Sequence, residues 1–429
     1  MSKKGWMVAV VGVAIVVLVL SVFSACVPPT APPATPAPPP AKPIKIGGMS
    51  IISGPLGEYG REMRNGAILA IEEINAAGGI LGRPLELKWM DTELKPATGV
   101  KNARYLVTEW GADYLMGVDS SGVAMGIGPI LPELGRIFSF DHAATHRLTE
   151  ELVYKKGIKE IFRMSVPVYQ EGALGYLCGE KFPEVKTIAG INPDYEYGRV
   201  AWQLFKHYLR QVRPDVEFVY AGWAPFGTLD FTPYLSAAMA KNPDAIYTTE
   251  WGGELVSLVK QAVAAGVFEK IKAWFNPMGG GGPDCRGFAF EVKKGLFRGK
   301  YWTTGRYIFT WPDTAKNKAF VKAYHDRFGT YPPYSALNAY DSVYILKEAA
   351  EKVGSLKTAD LIKAMEGMKF ESPAGTKYIR PEDHQAVYNV PLGRLAWSDE
   401  YKRPVVTDLV IYPAEKYYRK PPFPPIPAE

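Results

Sequence analysis

Ser120 and Ser121, followed by Gly122 at the entrance to an apolar stretch, have types and order that suit a bound anion. Two hydroxyls and the unspent backbone N–H groups of a helix start converge on one point, where the helix dipole favours negative charge. Serines in that place also cap helices with no ligand present, and Thr145 carries the same two readings. Tyr59, Tyr197 and Trp251 each follow a short apolar run and could wall an apolar ligand or simply pack. His142 and His146, with Asp141 adjacent, have a spacing that binds a metal when helical, but the segment reads as a loop without further ligands. Gly117-Val118-Asp119-Ser120 lacks the Gly-x-Ser-x-Gly elbow of hydrolases, and Gly279–Gly282 lacks the Lys-Ser/Thr of a phosphate loop. No catalytic residue, metal or cofactor is expected. Cys178 and Cys285 could pair in an oxidising compartment only if the fold brings their Cα atoms close.

The elements that must carry these residues alternate. Apolar runs at 44–50, 85–90, 114–116 and 136–140 read as strands, with helical spacing at 60–77, 96–110 and 123–134 between them. Gly78-Gly79 ends the first helix. The pattern restarts after Arg163, with helices at 170–181, 199–212, 232–241 and 254–265 and strands at 187–191, 217–220, 245–249 and 272–275. Helices at 316–328 and 337–353 follow, then a strand- and loop-rich end from 372. Strands separated by helices of this length imply right-handed βαβ crossovers and parallel sheets. The fold class is α/β, in two lobes with a cleft. Ligands of such sheets sit beyond the carboxyl ends of the strands, where Ser120, Thr145, Tyr197 and Trp251 all fall.

The chain has 429 residues, 47% hydrophobic and 22% charged, with a net charge of +6. That length supports two or three cores, and the charge bias is too weak for a nucleic-acid binder. Three Cys without a CxxC spacing exclude a disulfide scaffold and a zinc site of that type. The first 25 residues read as a secretory signal: Lys3 and Lys4, an apolar stretch over 6–23, then Ser24 and Ala25 before Cys26. An uncleaved membrane anchor is the other reading of that stretch. Residues 27–43 contain nine prolines, a composition that favours an extended polyproline stalk of roughly 50 Å.

Phe23-Ser24-Ala25-Cys26 resembles a bacterial lipobox, in which the cysteine is acylated and becomes the mature N-terminus. The folded part resembles the solute-binding proteins of branched-chain-amino-acid-type ABC transporters, of the type I periplasmic-binding fold. IKIGGMSIISGPLGEYGREMRNGAILAIEEINAAGGILGRPLEL at 44–87 carries the likeness most specifically. SSGVA at 120–124, AATHRLTE at 143–150, PDYEYGR at 193–199, TLDFTPYLSAAMAKNPDAIY at 228–247, YSALNAYDSVYIL at 334–346 and IRPEDHQ at 379–385 support it. The resemblance implies two Rossmann-like lobes joined by three crossings, near 163–168, 298–304 and 385–391. Lobe I would comprise 44–164 plus 300–387, and lobe II 165–299 plus 388–429, after the signal (1–25) and tether (26–43). It also implies that Ser120, Ser121, Ala143, Ala144 and Thr145 hold a carboxylate, and that Tyr59, Tyr197, Trp251 and Tyr334 line the cleft.

Where amino-acid-binding relatives place acids for the ligand ammonium, this chain has Val168 and Met278. Glu171, Glu250 and Asp284 are the acids that could substitute. An ammonium without a carboxylate is costly to bury, so a des-amino carboxylate with an apolar or aromatic body is the favoured solute. The expected function is a monomeric, non-enzymatic, lipid-anchored extracytoplasmic receptor that traps this solute and delivers it to ABC permease and ATPase subunits. A sensor module of the same fold is the alternative, but it would normally carry a signalling segment. A secreted hydrolase lacks its nucleophile–base constellation.

Overall fold

Ile44–Ser50 (β1) is buried at six of its seven positions, as a strand covered on both faces must be. Its neighbours are Leu85–Asp91 (β2) and Tyr114–Gly117 (β3), paired in parallel from Ile44↔Leu85 and Ile46↔Tyr114. Phe138–Phe140 (β4) and Ile161–Arg163 (β5) extend the sheet in the order β2-β1-β3-β4-β5. This is a computed structural model, and it describes residues 41–54, 56–280 and 282–426. The expected signal segment, Cys26 and the tether up to residue 40 lie outside the described residues.

The second sheet holds Thr187–Pro193 (β6), Glu217–Ala224 (β7), Ala245–Tyr247 (β8), Ala273–Asn276 (β9) and Tyr301–Thr304 (β10). Lys369–Ser372 (β11), Gly375–Ile379 (β12) and Ala386–Val387 (β13) form a small antiparallel sheet. Pro391–Ser398 (β14) and Arg403–Ile411 (β15) return to the second, giving the order β15-β14-β10-β9-β8-β6-β7. β6 to β10 run parallel, and β14 and β15 form an antiparallel edge. The protein is therefore an α/β molecule with two lobes.

Helix α1, Gly57–Ala76, buries Met63, Ala67, Ala70, Ile71 and Ile74 along one face. Each large apolar side chain so buried contributes about 1.5–3 kcal/mol before ordering costs. The helix ends at Gly78 and Gly79, whose φ values of 101° and 82° an L side chain adopts only with strain. Gly66 lets α1 touch the helix Tyr334–Val353: a Cβ there would lie 1.9 Å from Ala336 O, so Gly66→Ala would force the helices apart. α2 spans Pro96–Thr108. The single helix expected over 123–134 is broken into α3, Ser121–Ile127, a 3₁₀ turn Gly128–Ile130 and a short turn Leu131–Leu134. Pro129 and Pro132 cannot donate the bonds that continuity requires.

β10 pairs Tyr301 with Trp274 and Trp302 with Phe275, so the chain leaves the second sheet after Thr304. An aromatic and β-branched run, Tyr301–Thr304, thus continues the second sheet through the stretch expected near 298–304 as a crossing. The first and third passages between sheets are tied together. Arg163 Nε donates to Gln385 Oε1, Arg163 N to His384 O at 3.0 Å, and Gln385 Nε2 to Ser165 O at 2.9 Å. Cys178 and Cys285 are both buried and unpaired. Among the described residues, no helix is long and apolar enough to cross a membrane.

Candidate functional site

A cavity of about 300 Å³ opens between the carboxyl ends of the two sheets. Leu94, Asp119, Ser120, Ser121, His142 and Ala144 line it from the loops after β2, β3 and β4. Tyr195, Tyr197, Phe226, Trp251 and Met278 face them from the segments after β6, β7, β8 and β9, and Arg306 enters after β10. Every lining residue follows a strand, as a parallel sheet requires of its ligand site.

Arg306 is the strongest electrostatic feature. It is 1% exposed, its Nη2 meets Glu171 Oε1 at 2.6 Å, and its Nη1 donates to His142 O at 2.9 Å. Its Nε has no partner among the described residues. Burial opposes its charge, but Glu171, Tyr334 and Tyr197 outweigh that and hold its pKa above the ordinary value. Glu171 Oε1 also accepts from Tyr197 OH at 3.2 Å, so this oxygen is committed to the pair. His142 is pushed far below its usual range by burial and by Arg306, which leaves its ring neutral. Tyr334 OH lies 2.7 Å from His142 Nε2.

Each serine accepts a bond from backbone and keeps its own hydrogen to donate. Ser120 Oγ accepts from Val123 N at 3.5 Å, as an N-cap, and Ser121 Oγ accepts from Thr145 N at 3.2 Å. Asp119 spends Oδ2 on Ile51 N at 2.6 Å, while Oδ1 has no partner among the described residues. Burial raises its carboxyl to about 6. The opposite wall is aromatic: Trp251 donates from Nε1 to Tyr195 OH at 2.9 Å and meets the ring of Tyr59 edge-on at 5.5 Å. The cavity thus has aromatic walls on one side and unspent donors on Arg306, Ser120 and Ser121.

Of the residues expected from sequence, Ser120, Ser121, Ala144, Tyr197, Trp251 and Met278 line the cavity. Ala143, Thr145, Tyr59 and Tyr334 are buried behind it. Thr145 is diverted: its hydroxyl donates to Glu196 Oε1 at 2.7 Å across the cleft, where Arg147 also reaches Glu196 Oε2 at 3.2 Å. Tyr59 donates to Asp284 Oδ2. Val168 is buried off the cavity, with its N–H bonded to Ala144 O at 3.0 Å.

Of the acids that could have taken an ammonium, Glu171 is held through Oε1 by Arg306 and Asp284 through Oδ2 by Tyr59; their other oxygens have no partner among the described residues, and neither residue lines the cavity. Glu250, raised to about 9 by burial and by Glu254, is neutral and does not line the cavity. Sequence reasoning missed Arg306, Asp119, Leu94, Tyr195 and Phe226, and treated His142 only as a possible metal ligand. Tyr301-Trp302-Thr303-Thr304, a strand-like run before Gly305-Arg306, was the available signal for the most important of them.

The model of the periplasmic binding protein family matches residues 43–400. The leucine-, isoleucine-, valine-, threonine- and alanine-binding protein of Pseudomonas aeruginosa is 26% identical over 338 residues, covering 77% of this chain and 84% of that protein. The Leu/Ile/Val-binding protein BraC3 of Rhizobium johnstonii is 28% identical over 327 residues, 74% of this chain and 82% of that one. Two solved structures share the fold. One is a solute-binding protein of an ABC transporter from Rhodopseudomonas palustris BisB5 in complex with 3,4-dihydroxybenzoic acid. It has a TM-score of 0.75 and 24% identity, and the match covers 86% of this chain and 97% of that one. The other is the branched-chain amino acid transporter substrate-binding protein LivJ of Streptococcus pneumoniae in complex with isoleucine. Its TM-score is 0.73 at 23% identity, over 86% of this chain and 100% of that one.

Proposed function

We propose that this chain, which belongs to the periplasmic binding protein family, captures a small carboxylate with an apolar, preferably aromatic body and no α-ammonium. It is a solute-binding protein of the Leu/Ile/Val type of ABC transporter. Arg306 carries the reading of the solute: a buried guanidinium whose Nε has no partner among the described residues lines the same cavity as Ser120 and Ser121, with Tyr195, Tyr197, Phe226, Trp251 and Met278 on the second-lobe side. Glu171 is paired with Arg306, and none of the cavity-lining residues from the second lobe is an acid, so an ammonium would meet no carboxylate on that wall. Leaving it unpaired costs several kcal/mol, on the order of 10²-fold in affinity. The structures of similar fold include one with a dihydroxybenzoic acid and one with isoleucine, and both solutes present a carboxylate.

Asp119 favours a second reading. Its Oδ1 has no partner among the described residues and its side chain lines the cavity, so an α-amino acid could place its ammonium there. Calorimetry decides between them, by comparing benzoate, phenylacetate and 4-methylpentanoate with leucine, isoleucine, valine and phenylalanine. The proposal expects binding in the des-amino set. Micromolar binding of an amino acid with none in that set refutes it and favours Asp119.

The remainder of the proposal concerns placement and partners. Lys3 and Lys4, the apolar stretch, Ser24-Ala25-Cys26 and the proline-rich tether support a receptor acylated at Cys26 and held outside the cytoplasmic membrane. Permease and ATPase subunits are its partners by family. The protein acts as a monomer, binds no nucleic acid and catalyses no reaction.

A further inference from the structure

The seam between the lobes holds more carboxyl groups than cations. Arg286, in the second lobe, reaches across to Glu58 and Glu62 of α1, with Nη2 2.7 Å from Glu62 Oε1. Beside it, Tyr59 of α1 donates to Asp284 Oδ2. Glu58 remains half exposed, but Glu62 and Asp284 are 4% and 2% exposed. Each buried acid keeps one oxygen with no partner among the described residues, Oε2 of Glu62 and Oδ1 of Asp284. A buried carboxyl oxygen without a donor suits the neutral acid, whose proton sits there, far better than the anion.

We propose that closing the lobes takes up a proton at this seam, shared between Asp284 and Glu62, so that solute capture tightens as pH falls from 8 to 6. The surroundings support it. Asp284 faces Tyr59 and Glu62 from α1, Tyr301 from β10, Tyr334 from its helix, and Arg286 from its own turn. Glu62 faces Glu58, Arg286 and Arg403, with Tyr324 nearby. The tyrosines stay neutral, since burial raises all of them. Burial lifts Asp284 to about 7 against the bonds from Tyr59 and the backbone N–H of Gly252 and against Arg286, and lifts Glu62 to about 7 against Arg286.

Opening the seam rehydrates both acids, which then titrate near their ordinary values of about 4. The closed form therefore binds the extra proton. Its advantage is fully present below about pH 4 and is lost as pH rises through about 7. One such proton gives about a tenfold change in affinity between pH 8 and 6, with uptake of about 0.9 proton at pH 6 and about 0.1 at pH 8. The second carboxyl adds less than this, because the two acids interact.

The inference rests on the two-lobed trap, not on the identity of its solute. Calorimetry with benzoate, and separately with L-leucine, at pH 6, 7 and 8 in buffers of different ionisation enthalpy reads affinity and proton uptake together. The wild type is expected to gain about tenfold on acidification. Asp284→Asn/Glu62→Gln, which fixes both groups neutral, is expected to hold the pH 6 affinity at pH 8 and take up no seam proton. Asp119 is untouched in that variant, so uptake that persists there belongs to the cavity and overturns the proposal. Spin labels at the exposed Glu86 and Lys241 report the interlobe distance in the free protein, which should shift shorter at pH 6. A pH-independent affinity, or an unchanged distance distribution where neither probe binds, also overturns it. Leucine binding in place of benzoate would refute the des-amino solute while leaving the proton uptake to be read.

Discussion

Substituting Arg306 and Glu171 singly and together separates solute recognition from internal support. Both side chains are essentially inaccessible, at 1% and 0%, and meet at 2.6 Å. Arg306→Gln leaves Glu171 buried with Tyr197 OH as its remaining side-chain partner, and breaking a buried pair in this way costs about 3–5 kcal/mol. Arg306→Gln/Glu171→Gln removes both charges and restores a pair of neutral groups that can bond each other, so most of that cost is recovered. What stays lost is the guanidinium's bond to the solute carboxylate, worth about 1.5–3 kcal/mol, or roughly 10- to 150-fold in Kd. Calorimetry with benzoate and its neutral analogue benzamide, beside urea unfolding of each variant, measures the two effects apart. The double variant should unfold near the wild type, bind benzoate that much more weakly, and no longer prefer benzoate to benzamide. A double variant that binds benzoate as tightly as the wild type would refute the reasoning and leave Arg306 a support for Glu171 alone.

Three further outcomes are expected. Hinge closure on saturating solute should shrink the radius of gyration measured by small-angle scattering, because the bonds of Thr145 and Arg147 to Glu196 span the cleft and hold only when the lobes meet; an unchanged radius counts against closure. Lys377→Met should destabilise the fold by about 3–5 kcal/mol in urea unfolding, since Lys377 Nζ and Asp341 Oδ2 pair at 2.8 Å with both side chains inaccessible; a loss below about 1 kcal/mol contradicts the pairing. Mass spectrometry of the membrane fraction should find residues 1–25 removed and acyl mass on Cys26, both abolished by Cys26→Ala; a mature chain that keeps Met1 rules the tether out.

β1 to β4, α1 and α2 were legible because their signals are local, whereas the helix Leu148–Lys155 and β5 were not expected and the helix expected over 123–134 is broken. β1 carries Ile44, Ile46 and Met49 in a short run without an acid or a proline, α1 repeats its apolar residues at helical spacing, and Gly78-Gly79 marks its end. The serines after β3 and the aromatics after β6 and β8 were legible because a parallel sheet fixes where its ligand lies. Arg306 was not, since its value comes from partners distant in sequence: Glu171 is 135 residues away and His142 O 164. The run Tyr301–Thr304 marks only that Arg306 follows a strand, and those distant partners are what set it apart from a solvated arginine. The fate of Thr145 was hidden for the same reason. Its hydroxyl looks available in sequence and is spent on Glu196, 51 residues on.

Those long-range partners explain why the cavity and the passages between lobes belong to one device. Arg306 follows β10 directly, with a positive φ of 54° at the point where the chain leaves the second sheet. From there it bonds the carbonyl of His142 in the first lobe and the carboxylate of Glu171 in the second, and it lines the cavity between them. A solute anion attracted to this guanidinium therefore adds to a bond that already spans both lobes, and any rotation that separates the lobes must break one of its two ion or hydrogen bonds. If the proposed solute binds here, Arg306 would couple its capture to closure directly, beside the cross-cleft bonds of Thr145 and Arg147 to Glu196. A lysine in its place would offer a point charge without the planar fork that bonds two lobes at once, and would loosen the coupling even where the charge was retained.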